Sequence, residues 1–123
     1  MKIILDTHIF LWALSEPKKI DSIQLQEIET QANKIFISSI SIAEIMIKTS
    51  LKKIDINFDP LEMAEKSGFE FLNFGAKDAI LLKDLPFYHK DPFDRMIIAQ
   101  SIANKYHIIS NDHKFQLYDC KLI

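Results

Sequence analysis

The chain has 123 residues, 48% hydrophobic and 26% charged, a balance that suits one folded domain over residues 1–123 with enough apolar mass for a core. Its 15 Lys and Arg against 17 Asp and Glu leave a formal net charge of -2, so an anionic partner has to be met by a local basic patch and not by bulk charge. With only two glycines and one cysteine, it can hold neither of the common Gly-rich phosphate loops, nor an intrachain disulfide, nor a Cys-based zinc cluster, and its four histidines lack zinc-finger spacing.

Residues 2–5 form a short aliphatic run that stops at Asp6 and read as a buried strand. Over 7–15, Phe10, Leu11 and Leu14 recur at helical spacing, and the helix breaks before Pro17. Asp21 N-caps a helix predicted over 21–33, with Ile23, Leu25, Ile28 and Ala32 as its stripe, and 35–37 is a second strand. Ser41 caps or opens a helix to about residue 51. Asp59 and Pro60 read as the N-cap and first residue of a helix that ends near Gly68, and 69–72 is a third strand. Residues 77–85 read as helical. A loop with Pro86, Tyr88 and His89 then leads to Asp91-Pro92, which opens the helix read as most amphipathic, to about residue 104. A fourth strand over 107–109, a helical turn begun by Asn111-Asp112 and a final strand over 118–122 complete the chain. No apolar run reaches the roughly 18 residues that span a bilayer. The early polar break at Asp6 is unlike a signal peptide, so a soluble protein of a reducing cytoplasm, with no membrane partner, is expected.

Alternating strands and helices imply a parallel sheet with helices on both faces and right-handed crossovers. Ligands of such sheets bind at the carboxyl ends of the strands, where Asp6 and Asp112 both fall.

Each acid has a structural reading beside a chemical one. Asp6 either caps the following helix or, if Thr7 takes that role, is free for a ligand. Glu44, in I-S-I-A-E-I-M-I-K, shares a helical row with Ile40, Ile47 and Leu51. An ionised carboxylate on such a stripe costs several kcal/mol without a cation or hydrogen-bond partner. Glu44 is thus either a ligand or half of an ion pair, for which the one arginine, Arg95, is the candidate. In H-K-D-P-F-D-R, Asp91 reads as an N-cap, while Asp94 complements the helix dipole and aligns with Ile97, Ile98 and Ser101. Asp112, in S-N-D-H-K-F, caps a short turn. Acids gathered at one sheet edge raise one another's pKa unless a cation offsets the repulsion. Oxygen donors without cysteine suit Mg²⁺ or Mn²⁺. Such a centre can activate water against a phosphodiester, so hydrolysis of a nucleic acid is the expected reaction class.

Four segments, L-D-T-H-I-F-L-W, S-I-A-E-I, D-P-F-D-R-M-I-I-A-Q and I-I-S-N-D-H-K-F, occur in an order and spacing that resemble the PIN-domain ribonucleases, in particular the VapC-type toxins of toxin-antitoxin pairs, along essentially the whole chain. The resemblance implies a three-layer α/β/α fold with a central parallel sheet. It also implies a Mg²⁺ or Mn²⁺ site at Asp6, Glu44, Asp94 and Asp112, with Asp91 adjacent and secondary, an RNA substrate, a homodimer and a cognate antitoxin. Lys48, Lys52, Lys53, Arg95 and Lys114 form either a basic contribution to RNA binding or a solvated face. Phe10 and Trp12 read as core or dimer contacts. A phosphate-transferring protein with an aspartyl nucleophile fits less well, because Asp6-Thr7-His8 lacks the second acid of a D-x-D. A catalytically silent PIN-like module that binds RNA or protein is the non-enzymatic alternative.

Overall fold

The computed structural model describes residues 1–123. Its strands are Lys2–Leu5 (β1), Lys34–Ser38 (β2), Glu70–Leu72 (β3), His107–Ile109 (β4) and Lys121–Leu122 (β5). Its α-helices are Thr7–Ser15 (α1), Ser22–Glu29 (α2), Ser39–Ser50 (α3), Pro60–Lys66 (α4), Ala76–Ile80 (α5) and Pro92–Asn104 (α6). Every strand pairing is parallel, in the order β3-β2-β1-β4-β5. Side chains alternate across the sheet, and helices cover both faces, which is why the strands read as unbroken apolar runs. Ile3, Leu5, Ile35, Ile37 and Ile109 pack on one face with Ile9 and Phe10 of α1, Ile45 of α3 and Ala64 of α4. Ile4, Phe36 and Ile108 pack on the other with Ile97 and Ile98 of α6 and with Phe115. The result is an α/β/α sandwich, and each fully buried isoleucine contributes on the order of 2 kcal/mol.

The chain builds β1, β2 and β3 in one direction across the sheet and then returns to lay β4 on the far side of β1. That reversal opens a crevice at the carboxyl ends of β1 and β4. The registers Leu5↔Ile37 and Leu5↔Ile109 bring Asp6, Ser38 and Ser110 to one edge, and the Asp6 N–H extends the ladder to the Ile109 carbonyl at 3.0 Å.

The expected elements form, with boundaries moved for local reasons. The helix expected over 21–33 stops at Glu29, where the Thr30 hydroxyl donates back to the Gln26 carbonyl and Asn33 binds both Glu27 and the Met1 ammonium. Ser38, not Ser41, caps α3 through the Ile40 N–H, because Ser41 is fully buried and accepts from the Thr7 hydroxyl. Gly68 adopts φ +79°, a left-handed turn that favours glycine and ends α4 on time. The helix expected over 77–85 divides into α5 and a 3-10 turn at Leu81–Lys83, since the carbonyls of Leu85 and Pro86 turn to Arg95. α6 is not an amphipathic surface helix: Arg95, Ile97, Ile98, Ala99, Gln100 and Ser101 are all buried, so it is enclosed around most of its circumference. The final strand shrinks to Lys121–Leu122 because Tyr118 commits its phenol to Pro86 and His89.

Candidate metal centre

The predicted acids reach the sheet edge from four elements or turns. Asp6 follows β1 and is the N-cap of α1: Oδ1 accepts from the Ile9 N–H at 2.8 Å. Thr7 does not take over that cap; its hydroxyl serves Ser41 and, at 2.7 Å, Oε1 of Glu44. Burial raises the Asp6 carboxyl above its usual range, against hydrogen bonds from Ser110 and Ile9, and the Asp112 charge adds to the rise.

Glu44 is buried, as expected, though not by the row proposed for it. Ile47 and Leu51 are exposed, and the inward face of α3 is Ser41, Glu44 and Ile45. Its ion partner is Lys48, one turn on, where Glu44 holds the ammonium's proton more tightly than usual. Arg95 does not pair with it. The Arg95 guanidinium is buried and donates to the carbonyls of Leu85 (3.0 Å), Pro86 (2.8 Å) and His89 (3.2 Å), with the Phe87 ring stacked 3.9 Å away. Neither Lys48 nor Arg95 therefore belongs to a free basic patch, while Lys52, Lys53 and Lys114 remain exposed. Phe10 is core, and Trp12 is half-buried beside His8 and Lys19.

Asp91 caps α6 through Oδ1, accepting from Phe93 at 2.8 Å and Asp94 at 3.3 Å. Asp94 projects from the first turn of that helix. Burial, repulsion from Asp91 and, more weakly, the charges of Asp6 and Glu44 push its carboxyl up to about 7, with His89 opposing. Asp112 caps the 3-10 turn His113–Leu117 with Oδ1 on the Lys114 N–H at 2.9 Å. Burial also works upward on Asp112, but that N–H, the hydrogen bond from His89 and the Lys114 charge outweigh it, holding the carboxyl low.

The tightest group is Asp94, Asp112 and His89, whose donor atoms lie within 4.8 Å of one another. Asp6 and Glu44 stand outside that group but within the field of Asp94. His89 is the member that sequence reasoning passed over. Its Nε2 sits 2.7 Å from Asp112 Oδ2 and 3.0 Å from Asp94 Oδ2, across 23 residues in the first case. The available signal was its place two residues before a helix-capping Asp, which lets Nδ1 accept the Asp91 N–H at 3.2 Å.

The donor set fits a hard divalent cation. Asp6, Asp94 and Asp112 are oxygen donors crowded at one edge, with Lys48 engaged by Glu44 and Arg95 turned onto carbonyls. A groove of about 410 Å³, lined by Asp21, Gln24, Ser110, Asn111, Asp112 and His113 among others, opens beside Asp112. A larger hollow of 480 Å³ by Ala13, Leu25 and Phe69 carries none of these acids. No helix is long and apolar enough to cross a membrane.

A family model described as PIN domain matches residues 3–120. Among solved structures, the chain is similar to VapBC2 from Rickettsia felis bound to a promoter DNA fragment, at 22% identity and TM-score 0.74 over 100% of this chain and 98% of that one. It is also similar to DNA-bound VapBC from Salmonella typhimurium, at 18% identity and TM-score 0.72 over 100% and 97%. A third likeness is to the PIN domain endonuclease Utp24, at 22% identity and TM-score 0.53 over 94% and 74%. No curated protein matches the chain in sequence.

Proposed function

The chain belongs to the PIN-domain family, and from that premise we propose that it is a Mg²⁺- or Mn²⁺-dependent endoribonuclease of the VapC toxin type, held inactive by a cognate antitoxin. One observation carries the reading: carboxylates from separate elements meet at the crevice between β1 and β4, and Asp94 there is held near pH 7 by burial and by its acidic neighbours. The likeness to VapBC complexes and to the Utp24 endonuclease supports it.

Asp6, Glu44 and Asp94 would bind the cation directly, and Asp112 directly or through water. A divalent ion held by these residues would supply Lewis-acid activation of water and charge neutralisation for hydrolysis of a phosphodiester. The protein's own groups prepare for this. The Ile9 N–H and the Ser110 hydroxyl hold the Asp6 carboxyl in place, and the Thr7 hydroxyl orients Glu44. Asp94 has to give up the proton that burial encourages it to keep, and a divalent charge supplies the reason. Asp91, occupied as a cap, shapes the field without being needed as a ligand. RNA as substrate, a homodimer and a cytoplasmic site of action belong to the same proposal.

The test is cleavage of labelled total RNA by the purified, partner-free protein with Mg²⁺, Mn²⁺ or EDTA, alongside Asp6→Asn. Cleavage that requires both metal and Asp6 is expected. A folded protein that cleaves nothing in either metal, and binds no Mn²⁺, is instead a silent binding module.

A further inference from the structure

We propose that His89 is a positioning residue of the centre, whose Nε2–H clips Asp94 of α6 to Asp112 of the turn after β4 without itself ligating the cation. The proposal rests on the metal-dependent reading above and assigns a role that the acids alone do not contain.

The tautomer follows from the neighbours. The Asp91 N–H points at Nδ1, so Nδ1 presents its lone pair and the ring hydrogen is on Nε2. That hydrogen is shared between Asp112 Oδ2 at 2.7 Å and Asp94 Oδ2 at 3.0 Å. To ligate through Nε2, the ring would have to move its hydrogen to Nδ1, against the Asp91 N–H, leaving two donors facing each other in a buried place. The ring is thus arranged to orient carboxylates, as outer hydrogen-bond partners orient the ligands of metal sites.

The surrounding structure is built to hold the ring there. His89 is 7% exposed. Its N–H donates to the Tyr118 hydroxyl at 2.8 Å, and that hydroxyl donates to the Pro86 carbonyl at 2.7 Å. Its carbonyl accepts from Arg95, which also holds Leu85 and Pro86. The Phe115 ring meets the imidazole edge-on at 6.0 Å. Buried Arg95 has carbonyls rather than a carboxylate as partners, and all three of its hydrogen bonds go to the loop that carries His89. Because Asp94 and Asp112 come from different elements, a single donor touching both sets their separation.

The experiment is Mn²⁺ titration of the full chain, wild type, His89→Gln and His89→Ala, by electron paramagnetic resonance, with pulsed detection of nitrogen at the bound ion. Glutamine can place an N–H near the position of Nε2. Wild type should bind Mn²⁺ with no directly coordinated nitrogen. His89→Ala should bind on the order of tenfold more weakly, and His89→Gln should recover most of that loss. A coordinated nitrogen that disappears in His89→Gln would overturn the proposal in favour of a ligand, and wild-type affinity in His89→Ala would show that the clip does nothing. If His89→Ala does not fold, the glutamine variant decides: near wild-type affinity supports the clip, and a loss of tenfold or more overturns it. Failure of wild type to bind Mn²⁺ removes the metal-dependent function first, and the clip with it.

Discussion

Replacing Asp94 by Asn should make the metal-free protein more stable at pH 8 while destroying cleavage. The carboxyl is raised from 3.8 to about 7 by burial first and by Asp91 next. Between those values the folded protein holds a proton that the unfolded chain has released, so this group's contribution to stability is full below about pH 4 and is lost as pH rises through 7. At about 1.4 kcal/mol per pH unit the gross cost of an ionised Asp94 is roughly 4 kcal/mol. The side chain is 21% exposed and much of its field comes from neighbours partly open to solvent, which reduces the expected gain to roughly 1–3 kcal/mol, or several degrees in Tm. Asn keeps the shape, and its carbonyl oxygen can still accept from His89. Thermal unfolding followed by circular dichroism in EDTA, at pH 5 and pH 8, measures the difference. Asp94→Asn should exceed wild type at pH 8, and the gap should narrow at pH 5. No gain at pH 8, or an equal gain at both values, would refute the claim that the ionised carboxylate is held at a cost.

Asp6→Asn should lower RNA cleavage at least about 100-fold without lowering Tm in EDTA at pH 8, because asparagine caps a helix as well as aspartate does and burial raises the Asp6 carboxyl too; a wild-type rate would remove Asp6 from the centre. Mn²⁺ at about 100 times its dissociation constant should stabilise the protein by about 2.7 kcal/mol. That affinity should rise between pH 6 and pH 8, as Asp94 gives up its proton, and a pH-independent affinity would contradict the assignment of Asp94 as a ligand. Arg95→Lys should cost roughly 2–4 kcal/mol in urea unfolding, since an ammonium cannot span the carbonyls of Leu85, Pro86 and His89. An unchanged midpoint would mean that those carbonyls find other donors.

Much of this arrangement was readable from local chemistry. The strand at Lys2–Leu5, the helix at Thr7–Ser15, the helix begun by Asp91-Pro92 and the strand at His107–Ile109 lie where the sequence pattern puts them, because caps, proline and aliphatic runs act over a few residues. The position of Asp6 and Asp112 at strand ends followed from the alternation of elements. The partner of Glu44 did not: the helical row pointed to apolar burial and Arg95, whereas the contact is with Lys48 and, across the fold, Thr7. His89 escaped for the same reason. Its partners Asp94 and Asp112 are fixed by the return of the chain across β1, and no periodicity within a segment encodes a meeting of that kind.

The place of β1 in the sheet also bears on when the centre comes into being. β1 lies between β2 and β4, and its second neighbour arrives only when residue 3 pairs with residue 107. During synthesis Asp6 and Glu44 emerge early, on a half-sheet whose β1 edge is still open, while Asp94 and Asp112 are made last. Loop closure over that distance is slow compared with local helix formation. A chain that stops before β4 carries Asp6, Glu44 and Asp94 but lacks Asp112 and the second neighbour of β1, so the group of Asp94, Asp112 and His89 comes together only when the last part of the chain has been made.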